Sequence, residues 1–176
     1  ARPDPDRSKT HRGLTLFIVP KPVGDGHGFV LNDEQGGKLE GRPIDTLGYR
    51  GMHSYEVALE NWWVSADNLV GGEEGMGKGF YLQMAGFENG RLQTAARAVG
   101  VAQAALEIGL KYAEERVQFG KPIFSFPRIS GKIAWMAVET MVVRQLTYFA
   151  AREKDSERRC DLEAGMAKLL AARVAW

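Results

Sequence analysis

The side chains able to do chemistry are few and scattered. Cys160, the only cysteine, lies between Arg158-Arg159 and Asp161. Guanidinium charge lowers a thiol pKa, but a nucleophilic cysteine also needs a base and an orienting group, and none is near in sequence. The expectation is an exposed loop thiol. His11, His27 and His53 form no pair at ligand spacing and read as surface or internally satisfied residues. Gly72 to Lys78 fits the first seven positions of a phosphate-binding loop, yet the eighth is Gly79, where a magnesium-binding hydroxyl belongs. It reads as a glycine linker opening a helix. Trp62-Trp63 reads as one ring turned inward and one against another domain or subunit, rather than a stacking platform for bases. Glu88 and Arg91, at i and i+3 of a helical pattern, share one helix face, where a plain intrahelical ion pair is one expectation. Gly90 between them costs up to about 1 kcal/mol relative to alanine in mid-helix, which predicts a steric reason for the small residue.

Two kinds of element must position these groups. Gly13 to Pro20 is an apolar run closed by proline and predicts a well-buried strand. Gly24-Asp25-Gly26 marks a turn. Gly28 to Leu31 and Glu56 to Glu60 are further strand candidates, with Trp62-Trp63-Val64 continuing the last edge. From Gly79 the period becomes helical, with Phe80, Met84, Phe87, Leu92, Ala95, Val99, Ala102, Leu106 and Leu110 on one face. That helix ends near Arg116 to Pro122, where Gly120 and Pro122 both stop helices. A second starts after Pro127 with Ile129, Ile133, Met136, Met141 and Leu146, and a third near Asp161 after the charged stretch Arg152 to Arg159. The fold class is therefore α+β: an antiparallel barrel or sandwich followed by an up-down bundle. The division falls between residues 1–74 and 75–176.

Composition narrows the field further. Among 176 residues, 23 Lys and Arg oppose 22 Asp and Glu, so the net charge is +1 and no nucleic-acid or anionic-membrane partner is indicated. A chain 44% hydrophobic and 26% charged is globular rather than disordered. No apolar run approaches the roughly 20 residues needed to cross a bilayer. The sequence opens on Ala1-Arg2-Pro3 and closes in a helical pattern at Trp176 without a Gly or Pro stop. It reads as an internal piece of a longer chain, incomplete at both ends.

Two segments go beyond composition. One is Glu114-Glu115-Arg116-Val117-Gln118-Phe119-Gly120-Lys121-Pro122-Ile123; the other is Thr46 to Ser54, followed by a strand and Val64-Ser65-Ala66-Asp67-Asn68-Leu69. In order and spacing they resemble the acyl-CoA dehydrogenase family across nearly the whole chain. Ser65 stands where the family pattern has proline. The resemblance implies the second half of a middle β-domain and the first three helices of a C-terminal four-helix bundle.

It also implies a function: FAD-dependent oxidation of an acyl-CoA thioester to the trans-2-enoyl-CoA, as in fatty-acid β-oxidation. Electron-transfer flavoprotein would accept the electrons, and the protein would work as a dimer or tetramer in the bacterial cytoplasm or mitochondrial matrix. Carried over residue by residue, Arg116, Gln118 and Phe119 would meet the FAD of a neighbouring subunit. A guanidinium offers forked donors to a diphosphate, and Phe119 can pack against a planar group. Phe87, Glu88 and Arg91 would meet the acyl-CoA. Some branches of the family carry the catalytic glutamate where this chain has Gly90, so the base is expected beyond Trp176. Pro127 stands where the family often has a flavin-bonding glutamine, and it offers no donor. Pro127 and Gly90 motivate the alternative of a non-catalytic partner subunit of a heteromeric enzyme. An acyl-CoA oxidase or flavin monooxygenase on the same scaffold is the third reading.

Overall fold

The computed structural model describes residues 1–21, 27–48, 51–52 and 54–176. The expected turn at Gly24-Asp25-Gly26, and Tyr49, Arg50 and His53 of the Thr46–Ser54 motif, lie outside the described residues. Two compact units divide the chain, Ala1–Leu82 and Gln83–Trp176.

The first unit holds an antiparallel meander of β1 (Phe29–Asn32), β2 (Lys38–Ile44) and β3 (Ser54–Glu60), with β2 central. The sequence does not announce β2, because Gly41 and Pro43 are residue types depleted in strands. Its place comes from register: Leu31 and Leu59 flank buried Leu39, and Glu40 accepts hydrogen bonds from Lys38 and Arg42 on either side. Asp33 closes the hairpin. Its carboxylate accepts from the backbone N–H groups of Gln35 and Gly37, and from that of Trp63 beyond β3.

Two strand expectations are corrected here. Trp62-Trp63-Val64 does not continue β3, since Asn61 adopts a left-handed φ of 49° and ends the strand at Glu60. Gly13 to Pro20 is extended but not a buried strand. Arg7–Gly13 forms a 3-10 turn, Ile18 is exposed, and among the described residues pairing is confined to one bridge, Phe17 to Leu69. Two backbone bonds flank that bridge, Ile18 N–H to the Asn68 carbonyl and Val70 N–H to that of Leu16. The same segment anchors the next element. Thr15 is buried and accepts from the Gly77 N–H, while the Gly79 N–H donates to the Leu14 carbonyl at 2.8 Å. A Cβ on Gly79 would lie 2.7–2.9 Å from the backbone of Leu14 to Leu16, so only glycine permits this approach.

The helical elements are α1 (Gly79–Glu115), α2 (Pro127–Asp155) and α3 (Asp161–Ala175). Between α1 and α2 lies a two-strand hairpin, β4 (Val117–Gln118) and β5 (Lys121–Pro122). Glu88 meets Lys154, Gln103 meets Arg144, and Gly109 approaches Ile133, so α1 and α2 run antiparallel. Pro127 is the first residue of α2, where a missing N–H costs no helical hydrogen bond. The expected α+β class, antiparallel sheet then up-down bundle, is what the chain adopts. No helix among the described residues is long and apolar enough to cross a membrane.

The bundle core is built from small residues: Ala95 and Val99 of α1, Val143 and Ala150 of α2, Ala167 and Ala171 of α3. Hydrophobic period finds only part of the inner face of α2: Ile129, Ile133, Met136 and Leu146 are half-buried as expected. Met141 is exposed, whereas Thr140, Val143, Thr147 and Ala150 are buried. Thr147 can turn inward because its hydroxyl donates to the Val143 carbonyl, leaving its methyl to pack. Ala164, Ala167 and Ala171 fall on one face of α3 and are fully buried. We predict that Ala167→Leu destabilises this unit by about 1–3 kcal/mol through overpacking, read as a lower denaturation midpoint with an unchanged m-value.

Candidate functional site

Two places in the second unit carry the residues singled out by sequence. The first is the β4–β5 hairpin. Its turn is Phe119-Gly120, with φ of 52° and 79°, the double positive φ of the turn that best matches the twist of paired strands. Gly120 takes this conformation at no steric cost. Phe119 does not, since a β-carbon in the left-handed region costs roughly 1–2 kcal/mol. The ring recovers little of this by burial. It is 92% exposed and touches Phe126 edge-on, centroids 6.1 Å apart. Lys121 Nζ lies 4.6 Å above the same Phe126 ring.

Arg116 sits between α1 and this hairpin. Its N–H donates to the Tyr112 carbonyl and its carbonyl accepts from the Ile123 N–H, both at 2.9 Å, so the backbone is held from both sides. The side chain is exposed and makes no ion pair or hydrogen bond among the described residues. Gln118 is exposed beside it. The three residues named for the cofactor therefore share one short ordered segment. It presents forked cationic donors, an amide and an exposed ring. That donor set fits a ligand with a diphosphate and a planar ring.

The second place is Phe87-Glu88-Asn89-Gly90-Arg91 on α1. The intrahelical Glu88–Arg91 ion pair does not form. Lys154, in the last turn of α2, donates to Glu88 Oε2 at 2.6 Å, and the Cys160 thiol approaches the same oxygen at 3.9 Å. Arg91 is half-buried, with no hydrogen bond or ion pair among the described residues, and acts on Asp161 only through space. Phe87 is exposed. The expected steric reason for Gly90 is not found among the described residues, because a Cβ there would meet none of them within 4 Å.

Cys160 is a further correction. It is fully buried just before α3 rather than exposed in a loop. Burial pushes its thiol pKa up, with the Glu88 carboxylate acting in the same direction. The arginines expected to lower it are engaged elsewhere, Arg159 with Asp161 at 2.7 and 3.0 Å, and Arg158 with Glu153 at 3.2 Å. The Glu88 hydrogen bond raises the Lys154 pKa. Sequence reading missed Lys154, which lies inside a charged stretch taken as a connection although α2 continues to Asp155. Among the described residues no cluster of His, Cys, Asp or Glu could hold a metal ion.

Comparison with known proteins places the chain in a family. Residues 77–176 match the family model described as acyl-CoA dehydrogenase, C-terminal domain. The chain is 56% identical over 167 residues to (2S)-methylsuccinyl-CoA dehydrogenase of Cereibacter sphaeroides, covering 94% of this chain and 29% of that protein. It superposes on butyryl-CoA dehydrogenase of Megasphaera elsdenii with a TM-score of 0.79 at 35% identity, covering 97% of this chain and 40% of that one. A chain in the structure described as electron transferring flavoprotein of Acidaminococcus fermentans gives a TM-score of 0.80 at 31% identity, over 96% and 40%. This chain belongs to the acyl-CoA dehydrogenase family, and spans between about a third and two fifths of the length of these relatives.

The strained turn yields a prediction that does not depend on activity. Phe119→Asn places a residue that tolerates the left-handed region before Gly120. It should stabilise the second unit by about 1 kcal/mol, measured as a higher midpoint in chemical denaturation. Equal or lower stability would show that the Phe119–Phe126 contact outweighs the strain.

Proposed function

We propose that the protein carrying this segment oxidises an acyl-CoA thioester to the trans-2-enoyl-CoA with FAD, as a dimer or tetramer, passing electrons to an electron-transfer flavoprotein. The observation that supports this best is the ordered hairpin presenting Arg116, Gln118 and Phe119 outward, in a chain of this family. Arg116 takes the cofactor diphosphate with two parallel N–H donors, Gln118 adds an amide, and Phe119 covers a planar portion. When bound, FAD supplies the acceptor for the hydride that leaves the β-carbon.

Glu88 and Arg91 orient the acyl-CoA, with exposed Phe87 against its apolar portion and Gly90 keeping the helix surface open for close approach. A carboxylate base must remove the α-proton, and it needs a raised pKa and hydrogen bonds polarising the thioester carbonyl. In this reading it is a glutamate outside residues 1–176. The 56% identity to (2S)-methylsuccinyl-CoA dehydrogenase favours a short, branched acyl chain bearing a distal carboxylate. Pro127 is the first residue of α2, so it costs the helix nothing, and in this reading Arg116, Gln118 and Phe119 hold the cofactor without a donor from position 127.

The full-length protein should show flavin absorption bands, bleached anaerobically by methylsuccinyl-CoA more readily than by butyryl-CoA, without peroxide production in air. Arg116→Ala should lower flavin retention by at least roughly tenfold, since two charge-assisted hydrogen bonds are lost. Unchanged flavin content would overturn the role of Arg116. A colourless, correctly assembled protein would overturn the catalytic reading in favour of a non-catalytic subunit. Gly90→Ala should raise helix stability by up to about 1 kcal/mol while raising the KM for acyl-CoA, and an unchanged KM would remove Gly90 from the substrate surface.

A further inference from the structure

Glu88 lies at one end of the helical unit, where the last turn of α2 and the first residue before α3 both reach it. Its side chain is 15% exposed, and that of Lys154 33%. Both of its contacts, Lys154 Nζ and the Cys160 thiol, fall on Oε2, so Oε1 has no hydrogen-bond partner among the described residues. Arg159 does not compete for the carboxylate, since Asp161 holds its guanidinium through two hydrogen bonds. A glutamate and an arginine at i and i+3 attract each other when nothing else intervenes, and that pairing would neutralise the two charges the proposed substrate needs.

We propose that Lys154 is a positioning residue for acyl-CoA binding: it holds one oxygen of Glu88, keeps that carboxylate away from Arg91, and leaves the other oxygen to accept an N–H or O–H from the bound thioester. This rests on the reading above in which Glu88 and Arg91 meet the substrate. The two groups then present separate functions, an acceptor from Glu88 and a cationic donor from Arg91. Cys160 supports the arrangement from the buried side. Its thiol is pushed toward the protonated form by burial, so it remains a weak donor to Oε2 at neutral pH. Lys154 stays charged throughout the physiological range, because the Glu88 hydrogen bond raises its pKa.

A residue acting through Glu88 must lose its influence once Glu88 is gone, and this gives the test. Steady-state kinetics of the full-length protein would be measured with methylsuccinyl-CoA and butyryl-CoA for Glu88→Ala, Lys154→Met, Lys154→Arg, Lys154→Gln and the double variant Glu88→Ala with Lys154→Met. Glu88→Ala should raise KM about tenfold, as expected for a lost hydrogen bond to a charged group. Lys154→Met should raise KM by about three- to tenfold with kcat changed less than about twofold. Lys154→Arg should recover most of that loss, and Lys154→Gln, which keeps a neutral donor, should fall between. In the Glu88→Ala background, Lys154→Met should add nothing.

An equal KM increase from Lys154→Met in both backgrounds would overturn the proposal, since Lys154 would then act independently of Glu88. So would an unchanged KM in Lys154→Met beside a raised KM in Glu88→Ala, an outcome that leaves the substrate site itself standing. An unchanged KM in Glu88→Ala would overturn the substrate reading, and the positioning role with it. Should Lys154→Met fail to fold, the ordering of Lys154→Arg and Lys154→Gln against the unmodified protein decides the matter.

Discussion

The close contact of α2 with α3 is the constraint on which the rest of the helical unit depends. Ala164, Ala167 and Ala171 are fully buried, and the α2 residues buried with them are the small or medium Thr140, Val143, Thr147 and Ala150. Small side chains let two backbones approach closely, and dense packing leaves no room for sliding. The short connection from Ser156 to Cys160 is therefore drawn tight. Cys160 is carried under the end of the bundle, and Lys154 is held in the last turn of α2. Those two residues are the ones that reach Glu88 on α1. The position of one carboxylate thus follows from an alanine seam formed well away from it.

This chain of causes explains what could and could not be read in advance. The switch from strand to helical period at Gly79 was legible because helical period is strong over many residues, and all three helices begin within a residue or two of where pattern places them. The central strand β2 was not, since glycine, proline and alternating charges hide a segment that only its neighbours stabilise. Period also missed part of the inner face of α2, because Thr140 and Thr147 count as polar in a sequence yet are buried, Thr147 with its hydroxyl bonded to the preceding turn.

The candidate site divides along the same line. Arg116, Gln118, Phe119, Phe87, Glu88 and Arg91 could be named from a resemblance carried by local motifs. Lys154 and Cys160 could not. Each stands 66 or more positions from Glu88 along the chain, and contact at that separation is decided by how helices pack. Cys160 shows the hazard directly. Its sequence neighbours are arginines, but its spatial neighbours are a carboxylate and an ammonium, and the direction of its pKa follows the space rather than the string.

The hairpin at Phe119 and the helix surface at Gly90 depart from local stability in opposite ways. At Phe119 a bulky ring occupies a backbone conformation that suits glycine or asparagine, and stands almost fully exposed. At Gly90 the smallest residue occupies a helical position where alanine would fit without contact. A chain shaped only by folding would reverse both choices, filling the helix and relaxing the turn. Strain or lost propensity of order 1 kcal/mol persists where something outside the local contacts compensates it. Both departures lie beside charged side chains that make no hydrogen bond or ion pair among the described residues, Arg116 at the first and Arg91 at the second. A ring held outward calls for a surface to cover, and a bare helix face calls for something to approach closely. In the reading proposed above, a flavin cofactor covers the first place and an acyl-CoA approaches the second.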